Sequence, residues 1–156
     1  MKTTASLAFL LLSLFAPVGS VLANDGLITK PSSYSAADTL ERLEAALKKR
    51  GFVVFARLDH AAAATSKGLQ MPASTVLVFG NPKAGTPAML KKPMLAIDLP
   101  LKALVWEDAS GKVMLTYNSA AYVQGTIFPR HGLPSNPKRQ EEIEKALNAI
   151  TDAAVK

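Results

Sequence analysis

An α+β fold is predicted: a two-layer sandwich in which a mainly antiparallel sheet is covered by two amphipathic helices. Three observations predict it. Two long stretches, residues 36–50 and the segment after Pro137, carry apolar residues at helical spacing, so each needs a surface to cover. Several short β-branched or aromatic runs are bounded by Gly, Pro and Asn, as strands are. Two of these runs flank Asp108-Ala109-Ser110-Gly111, a loop so short that the strands on either side must pair antiparallel.

The chain begins with a secretory pattern: Lys2, an apolar run over residues 7–18, and Val21-Leu22-Ala23 with small residues at −3 and −1. Residues 1–23 are therefore expected to be a signal peptide and residues 24–156 one α+β domain, periplasmic or secreted, with no transmembrane segment left after cleavage. The net charge of +6 and pI near 9.7 then point to anionic surfaces or small acidic ligands sooner than to nucleic acid, for which no stripe of interleaved aromatic and basic residues exists. The absence of Cys excludes a disulfide framework, a thiol nucleophile and thiolate metal sites.

After cleavage, Leu27-Ile28-Thr29 reads as a first strand at or near a sheet edge, ended by Pro31. Ser35-Ala36-Ala37-Asp38 has the form of a capping box. Leu40, Leu43 and Leu47 follow on one face of a helix, with Gly51 just past its end. Asp38/Arg42 and Glu44/Lys48 are expected as i,i+4 pairs on its outer side. Residues 52–58 (FVVFARL) form a strand, and residues 61–64 a short helix ending near Gly68. TVLVF at 75–79 lacks polar alternation, as in a strand covered on both sides or at the sheet centre. Gly80-Asn81-Pro82 is a turn, and residues 86–92 make two helical turns with Met89 and Leu90 facing inward. Residues 101–107 and 113–117 form the hairpin. Ser119 caps a short helix, residues 126–137 are irregular, and Asn136-Pro137 starts the final helix, striped by Ile143, Ala146, Leu147, Ile150 and Ala154.

The run VFGNPKAGTPAML, then AIDLPLKALVWED, a Gly-containing turn and a strand ending in Tyr-Asn, resembles the domain-of-unknown-function 302 family. The Gly26-Leu27 start, the first helix and the Phe-x-Val-Phe strand fall where that family has them. Its most specific pieces here are Phe79-Gly80-Asn81-Pro82, Gly85-Thr86 and Asp98-Leu99-Pro100-Leu101-Lys102. The resemblance spans roughly residues 26–150 and implies a small α+β domain that is a homodimer. It supplies no catalytic residues to carry over.

Candidate chemistry is sparse. Gly80 to Thr86 is no P-loop: Thr86 follows the second Gly directly, Lys83 lies inside the loop, and Pro82 removes a backbone donor. Turn chemistry alone accounts for these residues. The functional alternative is a small ligand held by Asn81, Lys83, Gly85 and Thr86 at the opening of a helical turn. Asp98, between Ile97 and Leu99, would have a raised pKa if buried and could act in proton transfer; its structural role would be to tie down the Leu99-Pro100 turn. Tyr117, with Tyr122, Phe128 and Trp106, could line a pocket or a dimer face, core filling being the alternative, expected for Trp106 at least. His60 and His131 are the only histidines and lack metal-ligand spacing, so no metal and no cofactor is implied. Lys138 and Arg139 stand in the first turn of the last helix, where the dipole prefers acids. The expectation is a non-enzymatic exported module that binds a small anionic or apolar ligand or a partner. The alternatives are a small enzyme using Asp98 or His60 for proton transfer, and a purely structural envelope dimer.

Overall fold

A computed structural model describes residues 26–156; the expected signal peptide lies outside the described residues. Five strands form one sheet in the order β1-β5-β4-β3-β2, every neighbouring pair antiparallel. They are β1 (Leu27–Pro31), β2 (Val53–Asp59), β3 (Ser74–Gly80), β4 (Leu101–Glu107) and β5 (Val113–Asn118). The helices are α1 (Ala36–Lys49), α2 (His60–Thr65), α3 (Pro82–Lys91), α4 (Ala120–Tyr122), α5 (Phe128–Arg130) and α6 (Pro137–Val155). The α+β class holds, and β1 is an edge strand as its Pro31 requires.

Alternation of side chains along each strand fixes the two faces of the sheet. Leu77 opposes Ala103, which opposes Tyr117; Thr75 opposes Val105, which opposes Leu115. These residues are buried and pack with Leu40, Leu43 and Leu47 of α1 and Leu147, Ile150 and Ala154 of α6. The hydrophobic core is therefore one seam between the sheet and two adjacent helices. The other face presents Val76, Val78, Leu104, Trp106 and Met114, all half-buried. Thus β3 is interior but not central, and its burial alternates; it lacks polar alternation because the outer face of the sheet is apolar too. Trp106 belongs to that outer face, where its Nε1 donates to Thr116 Oγ1 at 2.9 Å, and does not fill the core.

Caps set the helix boundaries. Ser35 Oγ accepts from the Asp38 backbone N–H at 3.1 Å and donates to its carboxylate at 2.7 Å, closing the capping box. Glu44 pairs with Lys48 at 3.5 Å. The expected Asp38/Arg42 pair does not form, because Arg42 stacks on the Tyr34 ring at 3.9 Å and donates to the Ala153 and Lys156 carbonyls at the end of α6. Asn81 and Asn136 accept from the backbone N–H groups of Lys83 and Arg139, each at 3.0 Å, and each is followed by a helix-initiating Pro. Because Asn81 caps it, α3 starts four residues earlier than expected. Leu90 then points outward, 77 % exposed, and only Met89 is half-buried against neighbouring apolar residues. Residues 126–130, within the stretch expected to be irregular, are helical too: a π-helical turn, Val123–Ile127, joins α4 to α5. Buried Val123 and Ile127 fasten it to Leu95, so packing overrides Pro129, which is tolerated at a helix start.

Candidate functional groove

Between the open ends of β2, β3 and β4 and the N-terminal halves of α3 and α6 lies a groove of about 1180 Å³. Its walls are mainly apolar. Phe52, Phe55, Val78 and Leu101 come from the sheet side, Met89 from α3, and Ile143 and Leu147 from α6. A bulge between Val54 and Ala56 interrupts the β2–β3 register at Phe55, which stands 54 % exposed on the edge strand and faces the groove. Gly80 keeps the sheet end open: an added Cβ would lie 3.3 Å from Pro100 Cβ and 3.4 Å from the Phe55 ring.

The polar lining is concentrated at the two helix starts. Asn81 and Gly85 belong to α3 and its cap, and Asn136, Lys138, Arg139 and Glu142 to α6 and its cap, with Arg50 arriving from the end of α1. Arg139 Nη2 donates to the Ala84 carbonyl at 2.8 Å, tying the first turn of α6 to the first turn of α3. Among the described residues, neither Arg50, Lys138 nor Arg139 takes part in an ion pair.

Of the candidate ligand residues, Asn81 and Gly85 line the groove, whereas Lys83 and Thr86 are exposed outside its lining. Tyr117 is not part of it. Its ring is 3 % exposed in the main core, and its hydroxyl donates to Asn148 Oδ1 at 3.1 Å. That carboxamide oxygen also accepts from Lys30, whose ammonium reaches Thr151 and Asp152 at 2.8 and 2.7 Å. This network ties β1 to α6.

Asp98 is also outside the groove lining. It sits behind Leu99 and Pro100, which do line it and are joined by a cis peptide bond. Its carboxylate accepts from His131 Nε2 at 2.5 Å and from Arg130 Nη1 at 3.2 Å. The expected upward pKa shift is reversed: the hydrogen bond from His131, followed by the Arg130 charge, holds the carboxyl below its ordinary 3.8 against the opposing effect of burial. The His131 side chain is 6 % exposed, so the pair clamps α5 to the end of the turn that precedes β4. His60 is exposed at the start of α2 and has no part in this cluster. Among the described residues no group of three or more His, Asp or Glu is arranged to hold a metal ion.

Phe128, one of the aromatics expected to line a pocket, does line the groove; Phe55 and Arg50 were invisible as lining residues in the sequence, since nothing local distinguishes them from surface or core. Lys138 and Arg139 did carry a signal: two cations placed against a helix dipole.

The profile of the domain of unknown function DUF302 matches residues 28–154. Two proteins named "Fluoride-specific ion channel FluC 1" are each 43 % identical over 119 residues, or 76 % of this chain. One is from Brucella suis biovar 1 (strain 1330) and the other from Brucella abortus biovar 1 (strain 9-941). The matched part is 45 % and 42 % of their respective lengths, so the chain spans less than half of the curated relatives it matches. Among solved structures, an uncharacterized conserved DUF302 protein from Bacillus stearothermophilus superposes with a TM-score of 0.68 at 24 % identity, covering 83 % of this chain and 98 % of that one. At that identity the likeness is one of fold.

Proposed function

This chain belongs to the DUF302 family, and from that premise we propose that it is an exported, non-enzymatic module that binds a small apolar or anionic ligand in its groove and works as a homodimer. The observation that carries the reading is the groove itself. Ligand sites of ~300–1,000 Å³ are characteristically apolar clefts with a few placed polar groups, and this groove, at about 1180 Å³ somewhat larger than that range, shares the mainly apolar wall and the few polar groups. Export rests on the signal-like residues 1–23. The homodimer rests on the outer face of the sheet, where Val76, Leu104, Trp106 and Met114 occupy positions that a solvent-facing antiparallel sheet gives to polar residues.

The Brucella relatives are named as fluoride channels, but the shared part is under half of each, and no described helix is long and apolar enough to cross a membrane. A likeness of that extent supports a module joined to other sequence, with no channel activity transferred to this chain.

A second reading, proton transfer at Asp98, has the His131 pair in its favour. Against it, a carboxyl held below its ordinary range by the His131 hydrogen bond and the Arg130 charge is a weak base at neutral pH.

Native mass spectrometry of the mature protein, purified from its own host, tests the proposal. A reproducible excess mass on a dimer is expected. A mass equal to a multiple of the bare chain would overturn ligand retention and leave the structural dimer, and a monomer would overturn the dimer.

A further inference from the structure

We propose that the groove takes a single-chain amphipathic anion: an alkyl or acyl chain along the apolar wall, with one terminal carboxylate or like acid at the mouth formed by the first turns of α3 and α6. The inference deepens the ligand-binding reading above and rests on it.

The apolar part follows from the lining. Phe52, Phe55, Val78, Met89, Leu101 and Phe128 give a continuous choice of aromatic and flexible aliphatic contacts, and the volume exceeds what a compact drug-sized ligand needs. Met89 suits a ligand of variable shape, being unbranched and polarizable.

The charge follows from an imbalance in the lining. Three cations, Arg50, Lys138 and Arg139, line the groove against one acid, Glu142. None of the three cations is neutralised by an ion pair among the described residues. Two of them stand in the first turn of α6, and neither α6 nor α3 has an acid in its first turn. Cations there oppose the helix dipole, so helix stability does not account for them, whereas an anion at the mouth would be drawn by side chains and dipoles alike. The Arg139–Ala84 hydrogen bond uses one N–H of a guanidinium that has five. The side chain is thereby held in place with donors to spare. A free inorganic anion would leave the apolar wall uncovered, and an uncharged chain would leave the cations unanswered; only the amphipathic anion matches both.

The test is calorimetric titration of the mature protein with dodecanoate, dodecanol and dodecyltrimethylammonium, three probes of one chain length and different charge, each below its micellar concentration. Dodecanoate should bind about tenfold more tightly than dodecanol at low salt. The gap should close as salt shortens the Debye length from ~10 Å at 0.1 M to ~3 Å at 1 M. Lys138→Ala combined with Arg139→Ala should close most of the gap between dodecanoate and dodecanol, Arg50 holding the remainder, without changing dodecanol itself. Because Arg139 also holds α3, Lys138→Ala and Arg50→Ala alone are run beside it; each should remove part of the gap and leave the melting temperature unchanged. Equal affinity for dodecanoate and dodecanol, or a preference for the cationic probe, would overturn the anion assignment while the groove reading stands. No binding of any of the three would overturn the groove reading itself.

Discussion

Two phenylalanines measure how far the groove is separable from the fold. Phe79 is 2 % exposed, inside the main core, edge-to-face with Phe52 at 5.8 Å between centroids and 65° between planes. Phe55 is 54 % exposed at the bulge of the edge strand and faces the groove. Full burial of such a ring is worth about 1.5–3 kcal/mol. With a little under half of it buried and no closed cavity left behind, Phe55→Ala should cost about 1 kcal/mol. Phe79→Ala leaves a cavity inside close-packed surroundings and should cost about 3–5 kcal/mol, with the lost ring pair contributing up to about 1.5 kcal/mol of it. In urea titrations, with a slope of about 2 kcal/mol per molar, the midpoints should fall by about 0.5 M and about 2 M respectively. Phe55→Ala should also weaken dodecanoate and dodecanol alike by about fivefold, the binding equivalent of ~1 kcal/mol. Equal destabilisation by the two substitutions would refute the reasoning, since it would make Phe55 a structural wall and the groove a gap in packing.

Three further outcomes are expected. Asp98 has a folded pKa below its ordinary 3.8, so its contribution to stability is present above about pH 4 and lost as pH falls through the lowered value. Asp98→Asn should therefore be less stable at neutral pH, yet lose less between about pH 5 and pH 2 than the unaltered protein; parallel urea midpoints across that range would contradict the assignment. Gly85→Ala meets only Met89 Cε, at 3.7 Å, and removes a helical glycine, so it should raise stability by about 0.5–1 kcal/mol by thermal melting. An unchanged or lowered midpoint would show that the groove needs a bare backbone there. Gly26→Ala should be costly: φ is +84° and the new Cβ would stand 2.6 Å from three Tyr122 atoms, so a loss of more than ~2 kcal/mol is expected, and a tolerated alanine would mean that β1 starts differently.

The elements were legible where local chemistry acts alone. The Ser35 capping box, the Leu40/Leu43/Leu47 stripe, the Asp108–Gly111 turn and the Asn136-Pro137 start all stand where residue type and spacing place them. Apart from the start of α3, which the local Asn81 cap sets, the failures share a cause in tertiary contacts. Packing of Val123 and Ile127 on Leu95 extends a helix through a Pro-containing stretch, and Arg42 prefers distant carbonyls to its helical neighbour. Asp98 looked like an isolated carboxyl in apolar sequence because its partners lie 32 and 33 residues away. The groove was only half legible: Asn81 and Gly85 belong to a turn that can be read, but Phe55 enters through a bulge, which no alternation pattern announces.

The strand order carries a consequence for the timing of assembly. The first strand, Leu27–Pro31, pairs with Met114 to Asn118 and with nothing earlier in the chain. The β2-β3-β4 meander can zip up from near neighbours, but the leading strand stays without a partner until the fifth has been made. Closing that long loop is entropically late and slow. Until it closes, β5 keeps a bare edge and α6 lacks its anchor to Lys30. A chain threaded through a membrane from its N-terminus would thus emerge with the last piece of its sheet first, and could not close that sheet until the chain had followed as far as Asn118, 87 residues beyond Pro31.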